Sequence, residues 1–208
     1  MTFSFGNSDQ VIHFYFNIKF VKIEHMIGIT EVKAKAANFA EYKDLCPEIF
    51  EQSVGLAKKL KHLKIIHINS TQLGGGVSEI LHSQMPLERS LGLDSTWYII
   101  KAPKQFFKIT KKIHNLLQGE QGNLNLVEKY FFMEWLRTAI APFFKRLIAK
   151  EKPDIVFIHD PQPLPLIDYF PKEKKTAPIL RMHIDLSEPN DNALSFLQPL
   201  IEKYRLQK

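Results

Sequence analysis

One cysteine is too few for a disulfide. Cys46 stands alone among 208 residues, which fits a reducing compartment and makes the cytoplasm the expected location. Apolar runs of membrane-spanning length are missing too. The most hydrophobic part of the chain's start, residues 11–23, is interrupted by His13, Asn17, Lys19 and Lys22, and no basic leader with a small-residue cleavage site accompanies it. There is no GxGxxG, no glycine loop ending in Gly-Lys-Ser/Thr and no GxSxG, so the usual signs of a dinucleotide site, a P-loop and a serine hydrolase are lacking. His62, His67, His82 and His114 show no metal-ligand spacing. Nor does charge of one sign dominate: 28 Lys and Arg against 22 Asp and Glu leave a net +6, which suits an anionic ligand better than a nucleic acid.

What is present is the composition of an ordinary globular chain, 45% hydrophobic and 24% charged, long enough for one sizeable core. Residues 1–37 read as an N-terminal extension. Its first 25 residues are either a strand or a segment added upstream of a start at Met26, the second being favoured. Residues 38–208 read as one α/β domain.

Apolar periodicity predicts its elements. A helix over 48–60 carries Ile49, Val54, Leu56, Ala57 and Leu60, and a strand follows over 64–69. After Gly74, Gly75 and Gly76 a helix begins near Val77, with Val77, Ile80 and Leu81 on one face, and Pro86 should bend or end it. A strand at 96–100 precedes a helix at 104–117 that has two contrasting faces. Phe106, Ile109, Ile113 and Leu116 lie on one side; Lys104, Lys108, Lys111 and Lys112 lie on the other and read as solvated surface. A long helix over 126–150 turns Leu136, Ile140, Phe143, Phe144 and Leu147 inward and is kinked at Pro142. Strands follow at 154–158 and 179–183. Alternating strands and helices imply βαβ units, hence an open, mostly parallel, Rossmann-like sheet with helices on both faces.

Ligands of such sheets bind at the carboxyl ends of the strands. Three polar clusters fall there: residues 69–79, His159-Asp-Pro-Gln-Pro163 and His183-Ile-Asp-Leu-Ser187. The glycine run lets backbone approach a ligand, and the helix after it offers free N–H groups to an anion; the plainer alternative is a tight βα turn. Asp160 can accept from a sugar hydroxyl or cap the next helix. Strand alternation places Arg181, His183 and Asp185 on one face, although a lone histidine at a strand end is more often structural.

Taken in order, His67-Ile-Asn-Ser-Thr71, Gly74-Gly-Gly-Val-Ser-Glu-Ile-Leu81, His159-Asp-Pro-Gln-Pro163 and Arg181-Met-His-Ile-Asp-Leu-Ser187 resemble the N-terminal half of the trehalose synthase family. Residues 106–115 and 196–200 resemble it as well. Ser78 stands where alanine is expected. Related trehalose phosphorylases look similar over the same region.

The resemblance implies a GT-B glycosyltransferase that moves glucose from a nucleoside-diphosphate glucose to glucose with retention, needing no metal or other cofactor. It implies catalytic roles for His183, near the reacting carbon of the donor, and Asp160, on the acceptor hydroxyl. It places Gly74, Gly75 and Gly76 near the diphosphate or reacting sugar, and makes Asn69, Gln162, Arg181 and Asp185 substrate-binding candidates. Only the acceptor-side Rossmann unit is legible. The donor-binding C-terminal domain is expected to be absent, and with it activity of the chain alone. A non-catalytic sugar-binding module, a split-enzyme subunit working with a separately encoded donor domain or a second copy of itself, and a trehalose phosphorylase fragment are the alternatives. Neither a nucleic acid nor a membrane is expected as a partner.

Overall fold

The structure is a computed structural model that describes residues 27–33, 35–172 and 176–205. The segment at 11–23 and the start at Met26 lie outside the described residues. Five strands form one sheet in the order β1-β3-β2-β4-β5. β2 (Lys64–Asn69), β3 (Asp94–Lys101), β4 (Ile155–His159) and β5 (Ala177–Arg181) run parallel, and β1 (Gly28–Glu31) pairs antiparallel with β3. Residues 28–32, counted above in the extension, therefore belong to the sheet. β1 pairs along its whole length and Val32 is buried. Its four-residue run is too short for periodicity to single out.

The central strands are β-branched and almost wholly buried, as strands covered on both faces must be. One face packs against α2 (Gly76–Ser90) through Leu81, Met85 and Trp97. The other carries the larger core, where Ile66, Ile68, Ile100, Val156 and Ile158 meet α3 (Lys104–Leu117), α4 (Leu126–Trp135), α5 (Ala141–Glu151) and α6 (Asp191–Arg205). Each such side chain, fully buried, contributes roughly 1.5–3 kcal/mol relative to exposure. No helix of the described residues is long and apolar enough to cross a membrane.

Details depart from the periodicity. In α1 (Pro47–Leu60), Ala57 is buried but Ile49 and Leu56 are exposed, so its inward stripe is narrower than the pattern implied. Pro86 does not end α2: the helix runs to Ser90, and the ring is buried on the inward face, where packing offsets the lost hydrogen bond. The stretch 126–150 is two helices joined by a π-helical turn, Leu136–Ile140, in which the Ala141 N–H reaches the Leu136 carbonyl. Pro142 follows in the first turn of α5, where its missing N–H costs little. The turn also solves a phase problem. Phe132, Leu136, Ile140, Phe144 and Ile148 are all fully buried at a strict spacing of four. At about 100° per residue that stripe would drift about 160° along a regular α-helix, and the extra residue removes about 100° of it.

Phe143 is partly exposed and covers Gly28, whose φ of 135° is rarely open to other residues. A Cβ there would sit 3.2 Å from the Phe143 ring. Gly28→Ala is expected to cost roughly 1–2 kcal/mol, read from urea unfolding; an unchanged midpoint would show that the edge strand re-seats freely.

The lysine face divides. Lys104, Lys108 and Lys111 are exposed, while Lys112 is half-buried and donates to both oxygens of Glu128 at 2.9 and 2.8 Å. Glu128 also closes a capping box with Asn125 at the start of α4. Changing Lys104 and Lys108 to Gln should leave sugar affinity unaltered at any ionic strength, whereas Lys112→Gln should cost up to about 1 kcal/mol of stability. A salt-sensitive loss of binding on changing the first pair would mark that face as a ligand surface.

Candidate functional site

The strand order places β3 and β4 on opposite sides of β2, so the connections after β2 and β4 diverge and open a crevice at their carboxyl ends. All three polar clusters lie on this edge.

The first runs from β2 into α2. Asn69 is buried and already engaged: its Oδ1 accepts from Trp97 Nε1 at 2.8 Å and its Nδ2 donates to the Thr71 carbonyl at 2.7 Å. It shapes the loop and leaves little for a ligand. Gly74 and Gly75 adopt φ of 70° and 109°, which explains why they are glycines. No atom lies within 4 Å of a Cβ built on Gly74, Gly75 or Gly76, so the backbone faces open space. α2 starts at Gly76, one residue before the expected Val77. The loop is pinned from below. Ser78 Oγ donates to the Gly75 carbonyl at 2.8 Å, a bond the expected alanine could not make, and His82 Nε2 lies 2.8 Å from the Gln72 carbonyl. Beside it a concavity of about 490 Å³ is bounded by Ser70, Thr71, Gln72, Leu73, Lys101 and Phe107.

The second and third clusters meet. Asp160 is buried at the end of β4 with φ 63°, a left-handed conformation that Asp tolerates better than most residues. Its N–H donates to the Arg181 carbonyl at 3.0 Å, and its Oδ1 accepts from the His183 N–H at 2.7 Å. Asp160 thus caps no helix: the following turn is a 3₁₀ helix, Leu164–Tyr169, with Pro163 in the capping position. Burial raises the Asp160 carboxyl, opposed by the His183 N–H and the charges of His183 and His114.

The same bond ends β5 early. The ladder stops at His159↔Arg181, and the carboxylate, rather than a strand neighbour, takes the His183 N–H. His183 therefore lies in the loop beyond the strand, yet the expected alternation continues past it: Arg181 and His183 turn toward α2 and His159, while Met182 and Ile184 pack against the larger core. Arg181 Nη1 donates to Gln84 Oε1 at 3.2 Å. Asp185 is exposed and accepts from the Ser187 N–H and hydroxyl at 2.9 and 2.6 Å, bonds that hold its carboxyl below the usual range. Gln162 is half-buried in the turn after β4.

Sequence reasoning passed over the interior of the site. His67 and His159 project to the same face of β2 and β4, and His159 continues to His183. The nitrogen distances are 3.0 Å from His67 Nδ1 to His159 Nε2 and 2.8 Å from His159 Nδ1 to His183 Nε2. The three rings are stacked, with centroids 5.2 and 5.1 Å apart. His67 Nε2 faces Glu88 Oε2 of α2 at 3.3 Å. Burial, then the charges of His67, His183 and Arg181, push the His159 imidazole down to about 2; burial also lowers His183, against the pull of Asp160. The signal available was positional: both histidines end, or nearly end, a buried strand. Only the adjacency of β2 and β4, which sequence does not give, joins them.

Residues 67–207, which include every candidate above, match a family described as the N-terminal domain of trehalose synthase. The chain is 40% identical over 183 residues to a trehalose synthase of Pyrococcus horikoshii, covering 86% of this chain and 42% of that protein. Against a trehalose synthase of Rubrobacter xylanophilus it is 37% identical over 171 residues, covering 81% of this chain and 40% of that one. A trehalose phosphorylase of Pleurotus pulmonarius is 34% identical over 137 residues, or 61% of this chain and 18% of that protein. The chain thus spans less than half the length of the trehalose synthases it matches.

Proposed function

Since the chain belongs to the family of trehalose synthase N-terminal domains, we propose that it forms the acceptor-side wall of a GT-B glycosyltransferase. The reaction moves a glucosyl group from a nucleoside-diphosphate glucose to glucose with retention of configuration. The acceptor oxygen bonds to the anomeric carbon, the bond from that carbon to the phosphate oxygen breaks, and the departing diphosphate takes the acceptor's proton. The exposed backbone at Gly74, Gly75 and Gly76, with the N–H groups that open α2, faces the developing negative charge. His183 meets the donor glucose, and the second carboxylate oxygen of Asp160 orients the acceptor hydroxyl, a contribution of positioning. Arg181, Asp185 and Gln162 border the same edge. The donor is a substrate, so this reading calls for no cofactor or metal. It involves neither a nucleic acid nor a membrane, and the cytoplasm suits its nucleotide-sugar donor and its lone exposed Cys46.

The observation that supports this reading most is the 2.7 Å bond between Asp160 and His183, beside a glycine loop, at the crevice between β2 and β4. Catalysis by these 208 residues alone is not expected, because charge stabilisation needs a second wall to exclude water and hold the nucleotide. The test assays the purified chain, alone and mixed with a separately produced donor-binding domain, with glucose and several nucleoside-diphosphate glucoses. Disaccharide that appears only in the mixture, and is lost in His183→Ala, supports the proposal. No glucose binding by NMR titration and no disaccharide in either arm would end it. The likeness to a trehalose phosphorylase motivates a third arm with trehalose and inorganic phosphate; glucose 1-phosphate formed there would assign the chain to that reaction instead.

A further inference from the structure

We infer that Glu88 fixes the direction of every hydrogen bond along the His67–His159–His183 chain, so that His183 meets its ligand through a bare Nδ1. Glu88 is thereby a positioning residue for a ring it does not touch.

A neutral imidazole has one N–H and one lone pair, and an ionised carboxylate only accepts. His67 Nε2 and Glu88 Oε2 are both buried without a hydrogen-bond partner among the described residues, and they face each other at 3.3 Å. The second oxygen of Glu88 accepts from Gln84 Nε2 at 2.5 Å. Burial opposes ionisation of this carboxyl, but the facing His67 imidazole and the bond from Gln84 outweigh it and hold the group below the usual range. With Glu88 charged and the rings neutral, His67 must carry its proton on Nε2. Its bare Nδ1 then requires His159 to donate from Nε2, and the bare Nδ1 of His159 requires His183 to donate from Nε2. One choice at the carboxylate sets three tautomers.

The end of the chain is where this matters. His183 is half-buried, and its Nδ1 has no partner among the described residues, whereas its Nε2 is spent on His159. In the fixed tautomer the free Nδ1 can accept a hydrogen bond from a ligand and cannot give one. A sugar hydroxyl fits it as a donor; a phosphate oxygen does not. That last step rests on the sugar-binding reading above, while the tautomer assignment does not. The anchoring is mutual: Arg181 donates to Gln84, and Gln84 donates to Glu88, so the carboxylate is tied to both ends of the relay through α2 and β5.

The experiment is ¹⁵N NMR of the ¹⁵N-histidine-labelled full chain without ligand, at about pH 8, above the ordinary imidazole range. His67, His159 and His183 are each expected to show a protonated Nε2 and a bare Nδ1. A wild-type His183 carrying its proton on Nδ1 would overturn the inference with no variant needed. Glu88→Met removes the acceptor, and an orphaned buried N–H is worse than an orphaned lone pair. The variant should therefore move most of the His183 signal to the Nδ1–H form, although residue 88 never contacts it. Adding His159→Phe should abolish that effect. An unchanged His183 spectrum in folded Glu88→Met would equally refute the inference. A nucleoside-diphosphate glucose, the donor whose glucose His183 meets in that reading, is then titrated into the wild-type chain. A shift at His183 Nδ1 extends the inference to the ligand, while no shift with the tautomers as assigned refutes the sugar-binding reading and leaves the relay standing.

Discussion

Replacing Asp160 with alanine is expected to cost roughly 2–4 kcal/mol, a large share of the ~5–15 kcal/mol that holds a typical domain together. Two effects add. The bond from the His183 N–H to the carboxylate is lost, about 1.5–3 kcal/mol for a charge-assisted pair. The backbone at φ 63° must also be held by a residue without Asp's tolerance for it, about 1 kcal/mol more. Asn keeps both an acceptor oxygen and that tolerance, so Asp160→Asn should lose about 1 kcal/mol or less. Glycine relieves only the backbone and should fall between the two. Urea unfolding of the three variants reads the order Asn, Gly, Ala directly. Equal losses for Ala and Asn would mean that the side chain holds nothing.

The second large effect is acid lability. The His159 imidazole is neutral in the fold and titrates near 2, against about 6.5 in an unfolded chain. Its folded value is depressed, so its contribution to stability is complete above about 6.5 and is lost progressively as pH falls toward 2. The unfolded chain binds one more proton than the fold over that interval, a slope of about 1.4 kcal/mol per pH unit from this group. Glu88, also depressed, works in the same direction at lower pH. Asp160 works against both: its carboxyl is raised, so its contribution is fullest in acid and declines as pH rises through its folded value. The net expectation is unfolding well above pH 2. In His159→Phe the urea midpoint should depend on pH between 6.5 and 4 by about one proton less. Equal slopes in the two proteins would remove His159 from the account.

What was legible in the residues follows from how local each feature is. β2 was placed to the residue, and so was α3, because a β-branched run and a two-faced helix are self-sufficient patterns. β5 was placed two residues late because a carboxylate on a different strand cuts it short, and no local pattern records that. The pairing of Asp160 with His183 could be anticipated only as a shared edge. Asn69 illustrates the reverse case: it sits where a ligand residue belongs, yet Trp97, 28 positions away, occupies its oxygen. The histidine chain was invisible for the same reason, since strand adjacency is a property of topology rather than of spacing.

The π-helical turn at Leu136–Ile140 has a consequence for how this stretch tolerates insertion and deletion. Most helix-to-helix stretches on a surface absorb the loss of a residue by sliding in the adjoining loop. Here no loop adjoins: α4 and α5 are both committed to the core, at Phe132 on one side and at Phe144 and Ile148 on the other. Removing one residue between them would restore a regular helix and rotate everything after it by about 100°. Phe144 and Ile148 would swing away from the sheet, and the Phe143 ring would leave Gly28. The surplus residue acts as a phase corrector, and the length of this stretch is as fixed as the identity of its apolar side chains.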